Sequence, residues 1–147
     1  MKENYLIDIE GTIEQEGDID RISLLTRGSF MRKNGSFFIS YKETEATGYE
    51  GNITTVKVDE DSKVSMLRFG NMPSQLVIER GRRHVCHYDS GYGSLSLGVA
   101  ADEIDNRLSE KGGRLVFSYT LDSGDAQISH NQVTITVKET GSQSARL

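Results

Sequence analysis

The residues best suited to chemistry lie on short segments that alternate between apolar and polar side chains. Tyr41 and Glu43 stand two residues apart, Arg68 ends a similar segment, and His84 and Tyr88 stand four apart in a third. Side chains two or four residues apart project from the same face of a β-strand. If these faces point inward, Glu43, Arg68, His84 and Tyr88 meet near one end of a β-barrel, with Tyr41 on the same face as Glu43.

Two more residues complete the predicted site. Glu50 or Glu43 is expected to hold Arg68 in place, and the ring of Tyr92 in Gly91-Tyr92-Gly93 is placed to cover a barrel mouth. In this hypothesis Arg68 pairs with the head of a small ligand, while the neighbouring Tyr and His side chains orient it. The alternative is that the charged pair only ties strand ends together, because buried charges must be paired whatever their purpose.

Cys86 and its two neighbouring histidines are the candidates for nucleophilic catalysis and for metal binding. The thiol has His84 two residues before it and His87 directly after it. In a strand His87 points to the opposite face, so the segment offers two metal ligands at most. We interpret Cys86 as a small buried core residue. The sequence predicts no catalytic set, no metal site and no cofactor; an enzyme would have to use Glu, His and Tyr in an open cleft.

Length and charge restrict the class of protein. The 147 residues suit one domain, predicted at 1–140, with a disordered tail at 141–147. A net charge of −5 argues against nucleic-acid binding, and the basic run 80–83 is interpreted as a solvated turn. No apolar run is long enough for membrane insertion. The single cysteine fits a reducing compartment, so the expected location is cytoplasmic.

Strand signals dominate the chain. Asn34-Gly35 tolerates the positive φ angles of a type I′ turn and therefore predicts a hairpin. Short strands spaced about ten residues apart and joined by polar turns predict an antiparallel meander. Beyond two strands around 5–9 and 22–28, the predicted strands are 36–43, 52–58, 63–69, 75–80, 83–89, 94–99, 114–121 and 132–138.

One segment is predicted to be helical. Asp102 can cap its N-terminus, Ile104 and Leu108 stand four residues apart, and Gly112-Gly113 ends it. Such a short helix can lie against a barrel mouth but cannot cover both faces of a sheet. The predicted fold class is therefore all-β, an antiparallel meander closing into a barrel of about 8–10 strands with one short helix.

Several motifs together resemble a known family. They are Tyr41-x-Glu43, Thr47-Gly48-x-Glu50-Gly51-x-x-Thr54, Arg68-x-Gly70, Gly81-x-x-His84 and Tyr88-x-x-x-Tyr92-Gly93. With them the chain resembles, from about residue 4 to 138, the small YwiB-like proteins of Gram-positive bacteria, a family of unknown function with a lipocalin-like (calycin) β-barrel. The resemblance implies a closed or nearly closed barrel with the helix near one end, and it supplies no catalytic residues.

The sequence is compatible with two functions. The first is a non-enzymatic module whose barrel binds a small molecule with an apolar body and a polar or anionic head. The second is a protein-interaction module with a filled barrel and no ligand. Its partner, which the sequence does not identify, would dock on the acidic rim or on an edge strand such as 19–27.

Overall fold

A computed structural model describes residues 4–89 and 93–140, apart from the side chains of Tyr88, Asp89 and Ser94. Over these residues the chain forms antiparallel strands joined by short turns, with one 3-10 turn at Glu45–Thr47. The strands are β1 (Tyr5–Gln15), β2 (Asp18–Lys33), β3 (Ser36–Lys42), β4 (Ile53–Asp59), β5 (Lys63–Phe69), β6 (Ser74–Glu79), β7 (His84–Asp89), β8 (Ser94–Ser109), β9 (Gly112–Asp122) and β10 (Gln127–Glu139).

The strands close into a barrel in which each pairs with its neighbours in sequence and β1 pairs with β10. Ile9, for example, faces Leu24 on β2 and Ile135 on β10. The predicted hairpin turn is confirmed, with φ angles of 54° at Asn34 and 82° at Gly35. The structure thus confirms the predicted all-β meander and its closure into a barrel.

The alternation of inward and outward side chains along each strand defines the hydrophobic core. Leu115, Phe117 and Tyr119 on β9 are buried, as predicted from their spacing. The rings of Phe30 and Phe37 stack with centroids 5.6 Å apart. These two rings belong to a packed half of the barrel beside the β2–β3 turn, called here the closed end. The other end, which contains the last residues of β3 and β5 and the first of β6 and β8, is called the open end.

The helix predicted after residue 101 is wrong, because β8 continues without interruption from Ser94 to Ser109. The spacing of Ile104 and Leu108 is even, so it fits the two-residue period of a strand as well as one helical turn. Asp102 caps no helix; it lies where the β8–β9 register shifts between Ala101 and Glu103, and it accepts a hydrogen bond from the Thr120 hydroxyl at 2.9 Å.

The β1–β2 hairpin extends beyond β3 at the open end. β2 pairs with β1 from Asp18 to Gly28, whereas its pairing with β3 covers only Gly28 to Lys33. Among the described residues, the segment 19–27 therefore has a partner strand on one side only. The β1–β2 hairpin therefore projects beyond the neighbouring strand β3 on one side of the barrel opening.

An ion pair ties β9 to the β6–β7 turn and predicts a pH effect. The Arg83 guanidinium donates to both Asp122 carboxylate oxygens, at 2.6 and 3.0 Å, and it lowers the pKa of Asp122 below its ordinary value of 3.8. A lowered folded-state pKa contributes stability above pH 3.8, and that contribution is lost as the pH falls through the lowered pKa. Asp122→Asn should lower the melting temperature at pH 7, and its difference from wild type should vanish at lower pH.

Thermal unfolding followed by circular dichroism at pH 7 and near pH 2 gives the difference in melting temperature between Asp122→Asn and wild type. Asp125→Asn is the control, because it removes an exposed carboxylate from the same turn. An Asp122→Asn deficit that is as large near pH 2 as at pH 7 would show that the ionised pair does not cause it.

Candidate functional site

A row of polar side chains crosses the sheet at the open end. In the strand register Tyr41 faces Thr54, Thr54 faces Arg68 and Arg68 faces Ser74. Tyr41, Thr54 and Arg68 are buried, although two of them are polar and one is charged. The continuous register of these strand pairs holds the side chains level with one another.

The row forms part of the wall of a cavity of about 440 Å³. Buried members of the wall come from distant strands, so the cavity lies within the barrel. The surface of the wall is mainly apolar, although polar side chains reach it from β1, β3 to β6, β9 and β10 and from the loop between β3 and β4. The aliphatic members include Ile9, Ile13, Ile22, Met66, Leu76, Leu97, Leu121 and Val133, and the polar members include Tyr41, Glu43, Tyr49, Thr54, Arg68, Tyr119, Ser129 and Asn131.

Arg68 is the buried cation of this wall, with 7% of its surface exposed. Its Nε donates a hydrogen bond to the carbonyl of Met72, in the loop that follows β5. The guanidinium lies 3.7 Å from the centroid of the Tyr49 ring. Such a cation–π contact contributes about 2 kcal/mol when it is desolvated. Backbone and ring thus fix the direction in which the guanidinium presents its N–H groups.

Glu43 lines the same cavity wall as Arg68 and is half-buried. Its carboxylate accepts a hydrogen bond from the Thr47 hydroxyl at 2.9 Å and another from the Thr54 hydroxyl. Because Thr54 faces Arg68 in the strand register, one threonine connects the acidic and basic groups of the wall. The two threonines orient the Glu43 carboxylate toward the cavity.

The Tyr41 phenol is held in its neutral form. Burial raises the pKa of Tyr41 well above its ordinary value of 10.0, and the nearby Glu43 carboxylate raises it further. The opposing effects of Thr54 and Arg68 on this pKa are smaller. At any physiological pH the phenol keeps its proton and can therefore act as a hydrogen-bond donor.

Asn52 organises the two loops that position Tyr49 and Arg68, and the sequence prediction missed it. The side chain is 1% exposed. Its Nδ2 donates to the Tyr49 carbonyl at 2.9 Å and to Oδ1 of Asn71 at 2.8 Å, and its Oδ1 accepts from the Met72 backbone N–H at 3.0 Å. Both ends of the amide are thus satisfied. An Asn in a glycine-rich loop gives no periodic signal that could have shown this role.

Of the predicted site residues, Tyr41, Glu43 and Arg68 line the cavity together. Glu50 is exposed and is not part of the cavity wall. His84 lies four residues, roughly 13 Å, along β7 from the polar row, and its Nε2 is 2.8 Å from Oε1 of Glu79. The backbone of Tyr88 pairs with Ser74 in that row, but its side chain is not described. Tyr92 lies outside the described residues.

The wall opposite Arg68 carries polar residues that the sequence did not single out. Asn131 is 5% exposed, and its Nδ2 donates to Oγ of Ser129 at 3.0 Å. Tyr119 is buried on the adjacent strand. Asn131 and Ser129 stand two residues apart in β10, so the same alternation rule applied to 127–131 would have placed both inside.

Comparison with known proteins identifies the family. A family model described as a domain of unknown function, DUF1934, matches residues 7–135. The chain belongs to this family. The crystal structure of the ywiB protein from Bacillus subtilis is similar in fold to this DUF1934 barrel, with a TM-score of 0.78 and 24% identity over 92% of this chain and 90% of that one. No curated protein matches the chain.

Other chemistry has little support in the described part of this DUF1934 protein. Among the described residues, no group of three His, Cys, Asp or Glu side chains is arranged to hold a metal ion. Cys86 is a buried free thiol and His87 is exposed, which agrees with their predicted opposite faces. The described residues contain no helix with the length and apolar character that crossing a bilayer requires. The cavity at the open end is therefore the candidate functional site of the described residues.

Proposed function

We propose that this protein is a non-enzymatic barrel that binds a small molecule with an apolar body and a polar or anionic head. One observation carries the proposal: Arg68, buried and directed by its neighbours, stands on the wall of a cavity of about 440 Å³ whose surface is mainly apolar. Cavities that hold small ligands have volumes of about 300–1,000 Å³ and combine apolar walls with a few placed polar groups. The lipocalin-like use of a barrel interior is the corresponding analogy at the level of fold.

The cavity offers separate surfaces to the two parts of such a ligand. Leu76, Leu97 and Val133 present aliphatic surface to the body. Arg68 presents planar N–H groups, which pair well with a carboxylate or another oxygen-rich head. The neutral Tyr41 phenol lies on the same wall. A reducing cytoplasm, consistent with the lone Cys86 thiol, is the compartment we assign to this binding.

A protein-interaction module is the second candidate, and one observation favours it. The segment 19–27 has a strand partner on one side only among the described residues, and it exposes Ile19 and Leu25. A partner strand could add to this edge by main-chain hydrogen bonding. Because the cavity is present in the same barrel, we rank ligand binding first.

Filling the cavity tests the leading proposal. Val133→Phe adds a ring to the aliphatic wall, so the ligand body should lose its space while the Arg68 side is unchanged. We expect native mass spectrometry of gently purified wild-type protein to show a bound small molecule, and Val133→Phe to lose it. The added ring costs about 1–3 kcal/mol of stability if the wall relaxes poorly.

Thr134→Phe provides the matched control, since the same ring then lies on the outer face of the same strand. This variant should keep the bound mass. Retention of the ligand by folded Val133→Phe would place the binding site elsewhere. A wild-type mass equal to that of the bare chain would turn the search toward protein partners.

A further inference from the structure

The cavity wall carries two opposite charges rather than one. Among the described residues that line it, Arg68 and Glu43 are the charged ones. Thr54 is the neighbour that they share, because it faces Arg68 in the register and donates a hydrogen bond to the Glu43 carboxylate. The polar end of the cavity therefore has a formal charge near zero before any ligand enters.

The balance between the Arg68 and Glu43 charges determines which polar head group of a ligand binds favourably. A simple carboxylate can pair with Arg68, but it is then repelled by the Glu43 carboxylate in a poorly solvated space. A doubly charged phosphate would be repelled more strongly. A head that carries a hydrogen-bond donor next to its carboxylate avoids this conflict, because the donor can bind the Glu43 oxygens while the carboxylate binds Arg68.

The rest of the wall sets the shape of the ligand body. Ile9, Met66, Leu76, Leu97 and Leu121 are aliphatic. At roughly 30 Å³ for a water-sized group, a cavity of 440 Å³ holds about fifteen heavy atoms. A chain of about ten carbons with a small head fits this volume.

We propose that the ligand class is a medium-chain aliphatic acid with a hydrogen-bond donor beside the carboxylate, such as a 3-hydroxy acid. The inference rests on the proposed function and deepens it. Arg68 binds the carboxylate, and Glu43 selects the neighbouring hydroxyl. Glu43 is thus a specificity-determining residue in addition to its structural bonds with Thr47 and Thr54.

Calorimetric titration with 3-hydroxydecanoate and decanoate, each below its micelle concentration, tests the ligand class. The wild-type protein should bind the hydroxy acid about tenfold more tightly, as expected for one added charge-assisted hydrogen bond after desolvation. Glu43→Gln should reduce this ratio to roughly threefold or less, mainly by tighter binding of decanoate, because the repulsion is removed. Decyl phosphate should bind more weakly than either acid.

Glu45→Gln is the matched control, because Glu45 is exposed in the same loop and is not part of the cavity wall. This variant should keep the wild-type ratio. Equal or tighter binding of decanoate by wild-type protein would overturn the assigned ligand class and leave the proposed function standing. Failure of both acids and the phosphate to bind would count against the aliphatic-acid class, and if the purified protein also carried no small molecule, the proposed function would fall with it.

Discussion

Replacing Arg68 with leucine is expected to weaken ligand binding about 100-fold while the barrel still folds. The guanidinium stands on the cavity wall, and two charge-assisted hydrogen bonds to the ligand head would together contribute about 3 kcal/mol. Leucine keeps much of the apolar bulk, and the Glu43 carboxylate that loses its neighbouring cation is only half-buried and keeps its hydrogen bonds from Thr47 and Thr54, so the variant should be destabilised but still fold. Native mass spectrometry reports the bound ligand, and circular dichroism reports the fold.

Arg107→Leu is the control, since it removes the same charge from a side chain that is 77% exposed. It should retain the ligand. If Arg68→Leu unfolds the protein, Arg68 serves mainly to tie strands and loops together, which was the structural alternative from the sequence. If the variant folds and still carries the ligand at wild-type occupancy, Arg68 does not bind the head.

Gly113→Ala is expected to destabilise the barrel by roughly 4 kcal/mol. Gly113 has a φ of +132°, and a Cβ added there would lie 2.2 Å from the Arg107 carbonyl oxygen. A positive φ costs a non-glycine residue about 1–2 kcal/mol, and the steric overlap costs about 1–3 kcal/mol more. Domains of this size are stable by only about 5–15 kcal/mol. Urea unfolding followed by circular dichroism measures the loss.

Gly124→Ala separates the two causes. Gly124 has a φ of +100°, but an added Cβ would meet nothing within 4 Å. This variant should lose only the conformational part, about 1–2 kcal/mol. Equal losses in the two variants would show that the contact with the Arg107 carbonyl is relieved by a backbone shift.

The strands were predictable because alternation has a simple cause. In a barrel every strand buries one face, so Phe37, Ile39 and Tyr41 could be assigned inward from their spacing alone. The same rule explains why the predicted helix after residue 101 was wrong. Ile104 and Leu108 share a face in either conformation, and only pairing with β9, which no local pattern encodes, decides for the strand.

The candidate site was predictable in part, because alternation gives the face of a residue but not its height along the barrel. Tyr41 and Arg68 were placed inward only as a hypothesis, since Leu67 and Phe69 favoured the opposite face for the Arg68 strand. The two residues share a level because β4 pairs with both of their strands. His84 is on the correct strand but four residues from that level, beside Glu79. Height depends on strand pairing and turn geometry, which the residues alone left open.

The loop residues of the site could not be predicted by these rules. Tyr49 covers the Arg68 guanidinium and Asn52 joins the two loops, but neither lies in a strand. Loop conformations depend on specific hydrogen bonds rather than on a repeat. The aromatic and amide groups that complete the site become visible only when the barrel brings the 43–52 and 70–73 loops together.

A crystal structure of the protein, purified from its native cells without detergent or organic solvent, tests the central claim most directly. We expect density for one small elongated molecule in the cavity, with its polar end about 2.7–2.9 Å from the Arg68 guanidinium and its body along Leu76 and Leu97. A cavity that contains only ordered water, or that is filled by the wall's own side chains, would contradict the claim that this barrel is built to bind a small amphiphile.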